Sequence, residues 1–369
     1  MAVADEKGGV ILHFGLPKTG SSSIQQSLAQ HLNDARFHYV NLGNPNASTA
    51  VATMFKAEPA SFHLHAKRNA NAEELESLRD RFRRRLRREL RKARGRTAII
   101  SAEAASGLDE AELHRLCEVV AEQGGAVTAV GYVRDPRGYM ESTFQQQVRG
   151  GDDCALVEGA RLDYRARIEK FDNVLGRDHV RLWQFDPLQF PDGCVVQDFC
   201  NRLGISFNRT DVVRANEGLP LPALKLLYAY RRFGPGYGSG PTAVRENVLL
   251  IQQLRDCAGP KLRLHAELVD PLVEGQRDEI EWVESRLGRH FVEPVGAGDE
   301  SAIHSEDDLL DFAPDSLQWL ADQLGPDRPV RYDSGTPECV AEWMHRLRQK
   351  LAMTDDKIRR IRERKPGTP

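Results

Sequence analysis

The sequence predicts an α/β fold with a doubly wound parallel sheet of about four to five strands, helices on both faces and a helical C-terminal extension. Between residues 10 and 204, short apolar segments alternate with longer segments whose apolar residues recur every three or four positions. Such alternation favours parallel strands joined by right-handed crossovers. A glycine-containing turn joins the first strand to the first helix, which is typical of phosphate-binding βαβ units.

The first element is a strand, a loop and a helix that together predict an anion site. Residues 10–26 read Val-Ile-Leu-His-Phe-Gly-Leu-Pro-Lys-Thr-Gly-Ser-Ser-Ser-Ile-Gln-Gln. Backbone N–H groups of the loop and of the helix start can surround a phosphate, and Lys18 adds a positive charge. Gly15 and Gly20 have the spacing of the nucleoside-triphosphate loop, but its Lys-[Ser/Thr] pair is replaced by Ser21 and Ser22. The triphosphate motif is therefore broken.

Two polar segments lie farther along the chain. A short strand, predicted at residues 38–42, lies between the first helix and the first of these segments. Residues 61–68 contain His63, His65, Lys67 and Arg68, which predict either a solvated turn or a contact with an anionic or sugar substrate. Residues 73–94 are rich in arginine, yet leucine and phenylalanine recur there at three- and four-residue steps. We therefore expect an amphipathic helix with solvated arginines, and a contact with a polyanionic acceptor is the alternative.

The second and third buried strands each end in a charged residue. Residues 97–103 end in Glu103, and residues 126–134 end in Arg134 before a helix that begins near Pro136. Parallel strands present such residues at one edge of the sheet, so Glu103 and Arg134 should lie beside the phosphate loop. Alternatively, Glu103 caps the following helix or pairs with an arginine. An arginine fork suits a terminal phosphate, and the hydroxyl of Ser142 adds a donor.

The remaining elements complete the alternating pattern. Helices are predicted at residues 109–122, 162–176 and 195–203, with a strand at residues 180–185. Near the C-terminus, residues 315–324 and a final helix carrying Trp343 and Leu347 on one face predict a helical extension.

Two strings resemble signatures of sulfotransferases that use 3′-phosphoadenosine 5′-phosphosulfate (PAPS). The displaced lysine and the Ser/Thr-rich turn after it are similar to the 5′-phosphosulfate loop of the bacterial-type family, which has a P-loop nucleotide-transferase-like fold. The string Arg134-Asp-Pro-x5-Ser142-x-Phe144-x-Gln146 resembles the second signature, although the family often has tyrosine in place of Phe144. The resemblance fades near residue 296. It implies a sulfotransferase-like domain over residues 1–295 and a helical extension over residues 296–369 with a disordered tail.

The resemblance also implies the site residues and the reaction. PAPS would be the cosubstrate, and its 3′-phosphate would be held by Arg134 and Ser142. The residues expected to bind its 5′ side are Lys18, Thr19, Gly20, Ser21, Ser22 and Ser23. Lys18 would stabilise the bridging oxygen that leaves during in-line attack.

The resemblance further implies the general base and bears on the acceptor. Glu103 corresponds to the strand-end glutamate that serves as base in glycan sulfotransferases, and His63 or His65 would be the base in a small-molecule-type mechanism. A polar hydroxylated acceptor, with carbohydrate favoured, is expected, and no metal is required.

Composition sets limits on partners and location. The chain has 369 residues, 40% hydrophobic and 28% charged, with 51 Lys and Arg against 54 Asp and Glu, so nucleic-acid binding is not expected. Six cysteines have no C-x-x-C spacing, which indicates no disulfide framework and a reducing compartment. The apolar segment near the N-terminus is too short for a signal peptide or a membrane span. We therefore expect a cytoplasmic protein.

Two other functions share parts of this pattern. A P-loop kinase or nucleotide hydrolase would share the loop, but it requires a lysine directly after Gly20 and a strand-end aspartate for magnesium. A non-catalytic nucleotide- or polyanion-binding protein would use the arginine-rich helix. The presence of Lys18, Glu103, Arg134 and Ser142 together disfavours a decayed site.

Overall fold

The structure is a computed structural model in which two compact units can be described. It describes residues 8–16, 18–66, 69–151, 156, 161–215, 218–291, 302–327 and 335–364, without the side chains of residues 123–124 and 358–364. The first unit comprises Met1–Pro136, Arg161–Glu217 and Gln276–Glu293 within these residues. The second comprises Arg137–Ala160, Gly218–Gly275 and Pro294–Pro369. This division differs from the predicted boundary near residue 295, because helices on both sides of that residue share one apolar core.

The predicted strands and helices are present in the predicted order, and the structure adds a helix at residues 48–55 and four helices between residues 221 and 287 whose bounds were not predicted. The strands are β1 (Val10–His13), β2 (Phe37–Tyr39), β3 (Thr97–Ser101), β4 (Val127–Val133) and β5 (Val180–Gln184). The helices are α1 (Ser21–His31), α2 (Ser48–Phe55), α3 (His63–Ala66), α4 (Ala72–Lys92), α5 (Glu110–Gly124), α6 (Pro136–Gly150), α7 (Tyr164–Leu175), α8 (Val195–Leu203), α9 (Leu221–Phe233), α10 (Gly240–Leu254), α11 (Ala266–Gly275), α12 (Arg277–Leu287), α13 (Pro314–Leu324) and α14 (Pro337–Arg364).

The five strands form one parallel sheet in the order β2-β3-β1-β4-β5. The chain leaves β1 toward one edge of the sheet, whereas it leaves β3 and β4 toward the other edge. This reversal is a topological switch point, and open α/β sheets bind ligands beside the carboxyl ends of the strands at such points. The sheet thus places the loop after β1 at the edge where binding is expected.

Helices cover both faces of the sheet, which confirms the doubly wound prediction. On one face α1 packs against α8, and Ile24, Leu28, Phe199 and Leu203 from these helices are fully buried. On the other face α4 contacts α5, and α5 contacts α7. This segregation follows from right-handed crossovers, because connections that run in opposite directions must lie on opposite faces.

Helix α4 is amphipathic, as its sequence predicts. Asn71 and Glu74 form a capping box at its start, with each side chain bonded to the other residue's backbone N–H. Leu86 and Leu90 are buried, whereas Arg84 and Arg87 are exposed. Arg84 and Arg87 are therefore solvated, and the leucine stripe holds the helix on α2 and α5.

In the second unit, α9 lies at the centre of the apolar core. Leu224, Leu226 and Leu227 have no exposed surface, and the helix packs against α13 and α14. Among the described residues, no helix combines the length and the apolar character that a bilayer span requires. The described cysteines Cys117, Cys194, Cys200, Cys257 and Cys339 are free thiols, and Cys154 lies outside the described residues.

Candidate functional site

The loop after β1 is a tight turn that is held by its own side chains. Gly15, Lys18 and Gly20 have φ angles of 37°, 69° and 73°, in the left-handed region. This conformation costs a non-glycine residue such as Lys18 roughly 1–2 kcal/mol, so the surrounding structure must enforce it. Thr19 is fully buried, and its Oγ1 donates a 2.7 Å hydrogen bond to the carbonyl of Leu16. Pro17 lies outside the described residues.

Helix α1 starts directly after this turn and directs its N-terminus at the loop. Gly20 is the N-cap, and within the part of the chain that the structure describes it has no side-chain capping hydrogen bond. The first backbone N–H groups of a helix have no partner within the helix, and the helix dipole makes this end attractive to anions. Ser21 is buried, and its Oγ has no hydrogen-bond partner among the described residues. An unpaired buried hydroxyl costs about 1–3 kcal/mol, which an anionic ligand would offset.

Glu103 lies against the same turn. It follows β3 as the first residue of the 3₁₀ helix Glu103–Gly107 and is half-buried. A side chain at position 15 would clash, since its Cβ would lie 2.6 Å from Ser21 Oγ and 3.1 Å from Glu103 Cγ. Burial raises the pKa of Glu103, and the positive charge of Lys18 offsets part of this shift. The result is a carboxylate that is more basic than an ordinary glutamate and that lies near the loop lysine.

Arg134 comes from the adjacent strand end and contacts the loop directly. Its Nη1 donates a 3.0 Å hydrogen bond to the carbonyl of Lys18. Its guanidinium lies over the ring of Phe185, with the central carbon 5.2 Å from the ring centroid. Tyr164 donates a 2.7 Å hydrogen bond to the backbone carbonyl of Arg134. These contacts fix a second cationic group beside Lys18. Phe185, which follows β5, was not among the residues singled out in the sequence.

Ser22 and Ser23 lie in the first turn of α1, and Ser23 is bonded to the backbone. Its hydroxyl accepts a hydrogen bond from Ala215 N at 3.0 Å and donates one to Ala215 O at 3.3 Å. One turn later, Ser27 makes the same pair of bonds with Val213. The two hydroxyls therefore hold residues 213–215 along α1. Ser22 is half-buried.

Ser142 and Phe144 lie on α6, in the part that belongs to the second unit. Phe144 is buried, and its ring centroid is 5.9 Å from that of Tyr228. The aromatic residue of the second signature string is thus a core residue of this unit. Ser142 is half-buried, and its role stays a prediction.

The two candidate histidines differ in exposure. His63 is exposed at the start of the short helix α3. His65 is buried, and its Nε2 lies 2.8 Å from Thr53 Oγ1. Because Thr53 donates its own proton to the carbonyl of Thr49, His65 Nε2 is assigned as the donor of this bond. Lys67 and Arg68 lie outside the described residues.

One histidine that the sequence analysis did not single out lies next to the loop. His13 is the last residue of β1, is fully buried, and places Nδ1 2.8 Å from Ser101 Oγ. Gln25 of α1 also donates to Ser101 Oγ, at 3.1 Å. Burial lowers the pKa of His13 to about 4, so its ring is neutral near pH 7. The sequence did contain a signal for this residue, because His13 is a polar residue in an apolar strand, directly before a loop that contains glycine.

Comparison with known proteins gives similarities to solved structures, among them two sulfotransferases. No protein-family model and no curated protein matches the chain. A sulfotransferase from Alicyclobacillus acidocaldarius aligns at 15% identity and a TM-score of 0.39, over 76% of this chain and 95% of that one. The sulfotransferase domain from the curacin biosynthetic pathway aligns at 12% identity and a TM-score of 0.36, over 78% and 99%. Both TM-scores lie below 0.5, so these similarities carry no argument about the fold. The fold assignment rests on the strand order and the helices of this chain.

The buried histidine predicts a pH-dependent stability. Unfolded His13 has a pKa near 6.5, whereas in the folded state it is about 4, so only the unfolded chain takes up the proton between these values. Stability is therefore lost as the pH falls from about 6.5 to 4, by about 3 kcal/mol from this residue. Between pH 7 and pH 4, the free energy of unfolding should therefore fall less in His13→Asn than in the wild type. Urea titrations at the two pH values measure this difference.

The control for this prediction is His114→Asn, which replaces an exposed histidine. We expect its pH dependence to match that of the wild type. Equal pH dependence in His13→Asn and the wild type would show that His13 does not remain neutral in the folded protein.

Proposed function

We propose that the chain is a PAPS-dependent sulfotransferase that moves the sulfuryl group to a hydroxyl of a polar acceptor. The observation that carries this proposal is the contact of Arg134 with the carbonyl of Lys18. It joins the ends of two neighbouring strands, so that Arg134 lies against the loop that carries Lys18 and leads into the N-terminus of α1. A donor with a phosphosulfate and a separate phosphate requires more than one anion-binding group.

The residues present fit the 5′ side of such a donor. Gly15 leaves no side chain where the turn approaches Ser21 and Glu103, and Ser21 Oγ is buried without a partner among the described residues. Ser21, Ser22 and the α1 amides can donate to phosphosulfate oxygens, and Lys18 can stabilise charge on the bridging oxygen. Thr19 supports the turn through Leu16, and Ser23 supports residues 213–215. We therefore expect Thr19, Gly20 and Ser23 to act through the backbone of the turn.

The transfer requires alignment and proton removal. The acceptor oxygen attacks sulfur, and the bond between sulfur and the bridging oxygen breaks with its electron pair going to the departing phosphate. Lys18 stabilises that negative charge. Glu103 takes the proton of the acceptor hydroxyl, a role that suits a carboxylate whose pKa is raised by burial. The transfer itself needs no metal, since Lys18 and the amides carry out the charge stabilisation.

The proposal extends to the acceptor and to the cellular location. A glutamate base suits an alcohol, and the exposed arginines of α4 suit an anionic partner, so a carbohydrate acceptor is our choice. We propose that the reaction takes place in the cytoplasm, consistent with the free thiols of the described cysteines.

The role of Arg134 is tested with two nucleotides. Arg134→Ala should weaken binding of adenosine 3′,5′-bisphosphate roughly 10- to 100-fold, because a charge-assisted hydrogen bond is lost. Binding of adenosine 5′-monophosphate, which lacks the 3′-phosphate, should fall by a smaller factor, which reports the lost contact of Arg134 with the Lys18 carbonyl alone. Isothermal titration calorimetry gives both affinities.

Two variants serve as comparisons for Arg134→Ala. Ser142→Ala should also weaken bisphosphate binding more than monophosphate binding, but by a smaller factor. Arg84→Ala, which removes an exposed arginine of α4, should bind both nucleotides as the wild type does. An equal loss for the two nucleotides in Arg134→Ala would remove this residue from the 3′-phosphate site.

The role of Glu103 is tested by transfer of radiolabelled sulfate from PAPS to a panel of glycans, lipids and small alcohols. With an acceptor identified in this panel, Glu103→Gln should lower kcat roughly 10²- to 10⁴-fold. Its affinity for adenosine 3′,5′-bisphosphate should equal that of the wild type. The wild-type rate should rise with pH through a pKa above that of an ordinary glutamate, because the base acts when deprotonated. Glu103→Gln should be at least as stable as the wild type at pH 8, because a buried charge is removed.

The histidine alternative is tested in the same assay. His63→Ala and His65→Ala should retain turnover, apart from any stability loss caused by the buried His65. Exposed Glu122→Gln is the matched carboxylate control. Wild-type turnover in Glu103→Gln together with a large loss in a histidine variant would assign the base to that histidine.

A further inference from the structure

The second unit contains a cluster of two histidines and a glutamate. His265 Nδ1 lies 3.6 Å from Glu267 Oε2, and His304 Nδ1 lies 3.7 Å from the same oxygen. One potential ligand atom from each of the three residues lies within 4.8 Å of the other two. His265 is half-buried, and the other two side chains are exposed. The cluster can therefore be reached from solvent.

The backbone brings these residues together although they are distant in sequence. Leu264 and Ile303 form a parallel bridge, in which His265 N donates to Ile303 O at 2.9 Å and Ile303 N donates to Arg263 O at 2.8 Å. His265 and His304 each follow a bridge residue and are therefore neighbours across the bridge. Their rings stack with centroids 3.8 Å apart and an angle of 25° between the ring planes.

Both histidines lie on ordered backbone. Asp308 accepts hydrogen bonds from His304 N at 2.6 Å and from Ser305 N at 3.0 Å, which fixes the turn that carries His304. Glu267 lies in the first turn of α11, two residues after His265, and its backbone N–H donates a 3.4 Å hydrogen bond to His265 Nδ1, which a metal ion at Nδ1 would replace. The positions of the three side chains thus follow from two short, hydrogen-bonded segments.

The three side chains lie slightly farther apart than the ligands of one ion. Distances of 3.6 and 3.7 Å are too long for hydrogen bonds between the imidazoles and the carboxylate. Two ligands of a tetrahedral zinc ion lie roughly 3.3–3.5 Å apart, given bond lengths of roughly 2.0–2.1 Å. Binding one ion requires a rotation of the exposed Glu267 side chain and of the stacked imidazole rings, so that the in-plane nitrogen lone pairs converge on the ion.

The chemistry of the donors selects the class of ion. Two imidazoles and one carboxylate form a set that binds zinc in proteins, with a fourth position open to water. Calcium and magnesium require mainly oxygen ligands, which this cluster does not provide. Imidazole suits first-row transition metals, and the charge of Glu267 is complementary to a divalent cation.

We propose that His265, Glu267 and His304 bind one divalent transition-metal cation, zinc being the best match, with solvent completing its coordination. The ion would link the turn at His304 to the start of α11. This proposal does not rest on the sulfotransferase function. Spacing in the sequence gave no sign of the site, because His304 is far from the other two ligands along the chain.

Cobalt(II) is a visible probe for such a site. The 369-residue chain, free of an affinity tag and stripped of metal, should bind one cobalt ion per chain and develop the visible absorption of a low-coordinate nitrogen and oxygen site. Zinc(II) should displace the cobalt and abolish this absorption. A titration with no saturable one-to-one phase would overturn the proposal.

Three variants locate the bound ion. His304→Ala and Glu267→Gln should each weaken zinc binding at least as much as the roughly 10- to 100-fold loss that follows removal of an outer-shell partner. Glu267→Gln keeps the shape of a side chain that is 79% exposed, so unfolding does not explain its loss. His114→Ala is the matched control, since His114 and Glu118 form a surface pair at 3.4 Å with no third ligand close by among the described residues.

The pattern of losses decides the outcome. Loss of the one-to-one phase in His304→Ala and Glu267→Gln, with wild-type affinity in His114→Ala, would establish the site. One-to-one binding that persists unchanged in both cluster variants would place the ion elsewhere and contradict the proposal.

Discussion

The parallel pairing of β1 with both β3 and β4 is the constraint on which the first unit depends. It places β1 at the point where the connections between strands reverse direction, so the loop after β1 has a neighbouring strand end on each side. Glu103 follows one neighbour, and Arg134 follows the other. The carboxylate, the loop lysine and the arginine are therefore brought together by backbone hydrogen bonds of the sheet, and the same sheet buries the apolar side chains that stabilise the fold.

Several groups around this loop carry a free-energy cost in the folded chain. Lys18 has a left-handed backbone, Ser21 Oγ is buried without a partner among the described residues, and burial disfavours the charged form of Glu103. Buried polar groups and backbone strain are usually offset by surrounding structure or by a ligand. The sulfotransferase proposal gives each of these features a role in one reaction: Lys18 and Ser21 face the donor, and Glu103 faces the acceptor proton.

The sequence was sufficient for the sheet, because fully buried parallel strands have continuous apolar segments that end at recognisable turns. The position of Glu103 beside the loop followed from the same rule. Other features depend on contacts between distant segments and have no local signature. The bonds of Ser23 with Ala215, the core position of Phe144, and the stacking of His265 on His304 are of this kind.

The most direct test of the account is a calorimetric titration of the wild-type chain with adenosine 3′,5′-bisphosphate and, separately, with ATP and magnesium. The account predicts that the bisphosphate binds at one site per chain and that Lys18→Ala weakens it. ATP with magnesium should bind much more weakly, since the triphosphate motif is broken at Gly20. Preferential binding of ATP with magnesium, or bisphosphate binding that is unchanged in Lys18→Ala, would contradict the account.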